Sequence, residues 1–130
     1  MKLTPPEWKL MNVVWSGHPV TARGIAERLP DNRKWAYTTV KTMLSRLVSK
    51  GALVERKEGK TSLYDPLLTL QRARRQALQA LASDVFDASF TDLITFLIED
   101  GKLSAPEREK LAALLRAKRR KERLRNKRVR

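Results

Sequence analysis

The 130-residue sequence predicts a mainly α-helical protein interrupted by one β-hairpin. Three observations predict it. Apolar residues recur at helical spacing in six segments, helix-start signals precede several of them, and one short strand-like stretch folds back about a glycine.

Thr4-Pro5-Pro6-Glu7 opens the first helix: Thr4 caps, Pro5 suits the first helical position and Glu7 completes a capping box. Trp8, Met11, Val14 and Trp15 then form its inward face, and Ser16-Gly17 ends it. His18-Pro19-Val20 reads as a short extended connector. Thr21 caps a second helix that turns Ile25, Ala26 and Leu29 inward, and Pro30-Asp31-Asn32 breaks the chain. A third helix runs from about Tyr37 to Lys50 on an apolar stripe of Val40, Met43, Leu44, Leu47 and Val48, with Gly51 as its stop. Residues 53–57 and 61–64 read as strands joined through Glu58-Gly59-Lys60.

Beyond Asp65-Pro66 the pattern is helical throughout. Leu70, Ala73, Ala77, Leu78, Leu81, Val85 and Phe86 mark a fourth helix, and Asp87-Ala88-Ser89 breaks it. Phe90, Leu93, Ile94, Leu97 and Ile98 mark a fifth, closed by Asp100-Gly101. Ser104-Ala105-Pro106-Glu107 is a second capping box, opening a sixth helix with Leu111, Leu114 and Leu115. Past Lys118 the stripe fades to Leu124 and Val129 among charges, so a frayed helix or a disordered tail is expected there. Trp8 and Trp15 are expected in the core, Trp35 and Tyr37 fit either the core or a sugar-phosphate contact, and His18 is expected to sit at the connector without a functional charge.

Three helices followed by a two-stranded wing is the winged form of the helix-turn-helix, here residues 1–66. Residues 67–116 are three helices with little to bury against in so short a segment, and small units of this kind reach stability by association. A second copy is the simplest partner, with Leu70, Leu78, Leu81, Phe90, Leu93, Leu97, Leu111 and Leu114 as the expected dimer interface. Residues 117–130 form a basic tail.

Composition bounds the chemistry. Without cysteine there are no disulfides, thiolate ligands or cysteine nucleophiles, and His18 alone cannot build a histidine metal cluster. No His/Cys/Asp cluster, phosphate loop or catalytic carboxylate motif appears, so no enzyme activity, metal or cofactor is expected. The amino terminus lacks the apolar core of a signal peptide and no segment approaches the roughly 20 apolar residues of a membrane span. A soluble, cytoplasmic protein without membrane insertion is the expectation.

Charge points to the partner. Lys and Arg number 28 against 14 acids, a formal net charge of +14, and residues 116–130 alone hold ten basic residues and one acid, Glu122. Nucleic acid is the common partner of such a surface. The outer face of the third helix offers Thr38, Thr39, Lys41, Thr42, Ser45 and Arg46, and no acid occurs between Arg33 and Val54. A merely solvated helix face would mix charge signs. Short hydroxyl side chains can approach base edges, their methyls can meet thymine methyls, and the helix amino terminus suits phosphate. In a helix-turn-helix this helix enters the major groove. The expected interface on double-stranded DNA is therefore Tyr37, Thr38, Thr39, Lys41, Thr42 and Arg46, with Lys57, Lys60 and Thr61 of the wing on the backbone. Two rival classes remain open: a ligand-responsive winged-helix regulator, and an RNA- or ribosome-associated basic protein.

The opening Glu7-Trp8, Met11 and Val14-Trp15, then Thr21 and Ile25, resembles the start of the BlaI/MecI/CopY repressors. A longer match is Trp35-Ala36-Tyr37-Thr38-Thr39-Val40-Lys41-Thr42-Met43-Leu44, with Arg46-Leu47 and Lys50-Gly51 following, and then Lys57, Gly59-Lys60, Tyr64 and Pro66. Residues 89–104 also resemble that family's dimerisation region. The resemblance covers roughly residues 4–116 and leaves out the basic tail. It implies a homodimer on a palindromic operator that blocks transcription, as in the penicillinase and methicillin-resistance repressors of antibiotic resistance. It further implies release by proteolysis triggered by a membrane-bound sensor metalloprotease. The scissile bond of the cleaved members is Asn-Phe, and Thr95-Phe96 stands at the comparable place. Copper-responsive members use carboxy-terminal cysteines, which this chain lacks.

Overall fold

A computed structural model describes residues 1–30 and 35–129. The expected break at Asp31-Asn32 lies outside the described residues. The element order is α1 (Pro5–Ser16), α2 (Ala22–Arg28), α3 (Tyr37–Lys50), β1 (Leu53–Glu58), β2 (Thr61–Pro66), α4 (Leu70–Val85), α5 (Phe90–Glu99) and α6 (Ala105–Val129).

Local chemistry explains most boundaries. The Thr4 hydroxyl accepts from the Glu7 N–H at 3.3 Å while the Thr4 N–H donates to the Glu7 carboxylate at 2.8 Å, closing the capping box of α1. The Thr21 hydroxyl accepts from the Gly24 N–H to start α2, and the Ser89 hydroxyl from the Asp92 N–H to start α5. Ser104 and Glu107 form the reciprocal pair that opens α6, and the Ser104 N–H holds the Glu107 carboxyl below its ordinary range. Gly51 stops α3 in the left-handed region at φ 85°, where a side chain would be strained. In the wing, Glu58 pairs with Thr61 across a two-residue loop whose first position, Gly59, has φ 63°. A type II′ hairpin turn places a positive φ at that position.

The chain divides into two compact units, Met1–Ala80 and Leu81–Arg130. In the first, Leu10, Met11 and Val14 of α1, Ile25 of α2, Val40, Leu44 and Leu47 of α3 and Leu53 of β1 close into one core. Each such aliphatic side chain contributes about 1.5–3 kcal/mol by leaving water. Val20 bridges to Tyr64 through two backbone hydrogen bonds of 3.2 and 2.9 Å, which fastens the connector to the wing. Trp8 and Trp15, ring centroids 5.6 Å apart, pack half-buried on this core as expected, and Trp35 joins them.

Two features differ from the sequence reading. The first unit passes residue 66 and takes in the start of α4, because Leu68 and Ala73 are buried in the same core and the Leu68 carbonyl accepts from the Trp15 indole at 2.9 Å. The expected fraying past Lys118 is replaced by an unbroken α6 as far as Val129. Arg, Lys, Leu and Glu are strong helix formers even without an apolar face. In the second unit Ala82 and Leu93 are buried, and Phe86 and Phe96 meet with ring centroids 5.9 Å apart. Among the described residues no helix is long and apolar enough to cross a membrane.

Candidate nucleic-acid interface

The inward stripe of α3 leaves its outer face with a fixed composition: Tyr37, Thr38, Thr39, Lys41, Thr42, Ser45 and Arg46 are all exposed. Thr38, Thr39, Thr42, Met43 and Arg46 line one shallow depression on that face. The Thr42 hydroxyl donates to the Thr38 carbonyl at 2.9 Å. Its proton is thereby engaged, leaving oxygen lone pairs that can accept from a base amino group and a methyl that can meet thymine.

The start of α3 differs from its neighbours. Thr4, Thr21 and Ser89 cap their helices, whereas Ala36 gives α3 no side-chain cap. The capping residue therefore supplies no acceptor to the first backbone N–H groups of α3, and such groups at the positive end of a helix dipole suit an anion. Tyr37 stands beside this end, 43 % exposed, with the Arg23 guanidinium 5.3 Å and the Lys41 ammonium 5.8 Å from its ring centroid. Arg23 belongs to α2 and was not among the expected site residues. The sequence signal was an exposed cation two residues past the Thr21 cap.

The opposite end of α3 is anchored. Lys50 donates to the Glu7 carboxylate at 2.6 Å and to the Lys2 carbonyl at 3.1 Å, tying α3 to the α1 capping box. Glu7 is only 4 % exposed. Burial pushes its carboxyl upward, but the Lys50 ammonium together with the Thr4 N–H and hydroxyl outweighs this and holds it below the ordinary range. A groove between α1 and α3 adds Thr4, Trp35, Ser45 and Ser49 to the same flank.

Lys57, Lys60 and Thr61 are exposed on the wing. Its base is braced by Asp65, which accepts from Arg56 at 3.1 Å and lies 3.2 Å from His18 Nδ1. His18 thus has an acidic partner that the sequence did not reveal. Tyr64 reaches Glu55 at 3.4 Å, and burial, with the Glu55 carboxylate beside it, raises its phenol above the usual range.

In the carboxy-terminal half, Leu78, Leu81, Phe90, Leu97 and Leu114 are exposed, and Leu70 and Leu111 are half-buried. Leu93, expected at the dimer interface, is 7 % exposed in the single chain, so little of its side chain is open to a partner. Thr95 and Phe96 lie inside α5, and Phe96 is 55 % exposed although it leans on Phe86. Among the described residues no cluster of three or more His, Cys, Asp or Glu side chains could hold a metal.

A helix-turn-helix with a hairpin wing and an acid-free outer face on its third helix defines a class, the winged-helix DNA-binding transcriptional regulators. The family described as penicillinase repressor matches residues 3–117. The chain is 32 % identical over 117 residues to a 16.5 kDa protein from the ptsI 3′ region of Latilactobacillus sakei, covering 90 % of this chain and 80 % of that one. It is 26 % identical over 117 residues to the methicillin resistance regulatory protein MecI of Mammaliicoccus sciuri, covering 90 % and 95 %. Among solved structures it is similar to the monomeric form of Bacillus licheniformis BlaI in complex with the blaP half-operator, at 29 % identity, 55 % and 88 % coverage and a TM-score of 0.48. The chain belongs to the penicillinase repressor family, and it is a DNA-binding transcriptional repressor.

Proposed function

We propose that the protein represses transcription in the cytoplasm as a homodimer on a dyad-symmetric operator, with no chemistry of its own. The observation that carries this reading is the exposed, acid-free face of α3 beside a basic wing. Thr38, Thr39, Lys41 and Thr42 read base edges in the major groove. Tyr37 with Arg23, Arg46 and the wing residues Lys57, Lys60 and Thr61 hold the phosphate backbone. The winged domain is residues 1–66 extended by the start of α4, and the helices to residue 116 bring two copies together.

Dimerisation multiplies two weak half-site affinities. The exposed Leu78, Leu81, Phe90, Leu97 and Leu114 supply the apolar surface for it. Separating the copies releases the operator, and the relatives' regulatory names suit a switch of that kind. Cleavage at Thr95-Phe96 by a membrane-bound sensor metalloprotease is one route. Because that bond lies within α5, a protease gains it only once the helix opens locally.

Selection of duplexes from a random pool by the purified protein tests the reading. The expected product is a dyad whose half-sites lie about one helical turn apart, roughly 10 base pairs, or a small multiple of it. On that duplex Thr42→Ala is expected to cost about 1–3 kcal/mol in discrimination against random DNA. Lys60→Ala is expected to weaken both duplexes alike and lower the salt slope by about 1 per protomer. Recovery of no common sequence, or equal losses on both duplexes for Thr42→Ala, would overturn the assignment.

A further inference from the structure

The family match ends at residue 117, yet α6 continues to Val129. Nine of the fourteen residues from 116 to 129 are Lys or Arg, six of them Arg, and Glu122 is the single acid. From residue 116 to 128 every side chain is exposed. At 3.6 residues per turn, Arg119, Arg120 and Arg123 fall on one side of the helix, and Lys121 and Arg125 on another, so positive charge surrounds the axis. Like charges four residues apart, as in Arg119 with Arg123 and Lys121 with Arg125, repel along the helix. Among the described residues the one ion pair of α6 joins Arg116 to Glu109, at the upstream edge of the run.

We propose that residues 116–129 are a second binding element for duplex DNA, gripping phosphates without reading bases; this rests on the DNA-binding reading above. Charge density is the first reason. Fourteen helical residues span roughly 21 Å, and duplex DNA carries a negative charge about every 1.7 Å of its axis. Nine cations over that length come close to matching it, and phosphate contact removes the repulsion within the helix. The excess of arginine is the second reason, since the guanidinium fork binds phosphate oxygens two at a time.

Other polyanions fit less well. The last aromatic residue of the chain is Phe96, so this segment offers single-stranded RNA no stacking surface. A helix that lies on a membrane needs an apolar face, and between residues 118 and 128 Leu124 is the only apolar residue. The element adds sequence-independent affinity. It keeps the repressor on DNA between operator encounters and leaves the choice of sequence to α3.

The test uses the full-length chain and a random-sequence duplex, with binding followed by fluorescence anisotropy across a salt series. Replacing Arg119→Gln, Arg120→Gln and Arg123→Gln together is expected to lower the slope of log affinity against log salt by about 2–3 per protomer, near 0.9 for each phosphate contact. Gln favours helix, so circular dichroism should show α6 retained. The three Arg→Lys replacements should restore most of the slope. A control triple, Lys102→Gln, Arg108→Gln and Lys110→Gln, removes the same charge outside the segment and is expected to change the slope far less.

An unchanged slope for the Arg119/Arg120/Arg123 triple overturns the proposal, and so does an equal fall for the control triple. A loss confined to single-stranded RNA or to phosphatidylserine vesicles overturns it in favour of those partners. In each case the selective effect of Thr42→Ala still reports on α3, so the operator reading stands or falls separately. Failure of the unsubstituted chain to bind any duplex overturns both.

Discussion

In the first unit Leu10, Met11, Val14, Ile25, Val40, Leu44 and Leu47 lose all contact with solvent. In the second, residues of the same kind stand in water: Leu81, Val85, Phe90, Ile94, Phe96 and Leu97 are 36–63 % exposed, and Leu114 and Leu115 remain open on α6. Helical periodicity is similar in both, so periodicity alone does not decide burial. The difference is the number of independent faces. Three helices and a hairpin enclose a volume, whereas the second unit buries Ala82 and Leu93 but leaves its remaining apolar surface uncovered. The first unit is complete within one chain. The second leaves an apolar surface open, the surface to which the proposed homodimer assigns a second copy.

The largest expected effect breaks the complete unit. Leu44→Ala should remove about 3 kcal/mol from unfolding free energy, through lost burial and the cavity left behind. Leu114→Ala, at an exposed position, should change the unfolding free energy measured by urea denaturation of monomer by less than about 0.5 kcal/mol. Equal losses would mean that the two units do not differ in the manner described.

The next effect concerns the open unit. Leu97→Asp combined with Leu114→Asp should convert dimer to monomer in sedimentation equilibrium. It should also weaken binding to the selected dyad about 100-fold while sparing an isolated half-site. A variant that stays dimeric would place the association surface elsewhere on the chain.

The smallest effect is a pH dependence within the first unit. The Glu7 carboxyl is held below its ordinary range in the folded state, so its stabilising contribution is full above the unfolded value of about 4.3 and is lost as pH falls through the lower folded value. Glu7→Gln should therefore flatten the dependence of melting temperature on pH in that acid window. The unsubstituted protein should melt progressively lower as pH drops through it. Parallel curves for the two proteins would show that Lys50 and Thr4 do not favour the charged carboxylate.

Much of this architecture could be read one helical turn at a time. Thr4 with Glu7 and Ser104 with Glu107 are signals three residues apart, and both form the reciprocal hydrogen bonds expected of them. The limits of α3 at Tyr37 and Lys50, the stop at Gly51 and the wing about Gly59 likewise depend on neighbours a few residues away. The composition of the outer face of α3 follows directly, because an inward stripe of Val40, Met43, Leu44 and Leu47 leaves the hydroxyl and amine side chains outside. The excess of positive charge along the tail was equally visible, although helix propensity carried α6 further than its fading apolar stripe suggested.

Folding in three dimensions settled what links residues distant along the chain. Lys50 meets Glu7, the Trp15 indole meets the Leu68 carbonyl, Arg23 meets Tyr37 and Asp65 meets His18, at separations from 14 to 53 residues. No local period encodes such pairs, since each depends on how whole elements cross. The same holds for Leu93, whose spacing matches that of its exposed neighbours and which is nonetheless buried in the single chain. Helix capping and periodicity act over a single turn and can be read from order alone, but which faces end up enclosed depends on the volume that all the elements share.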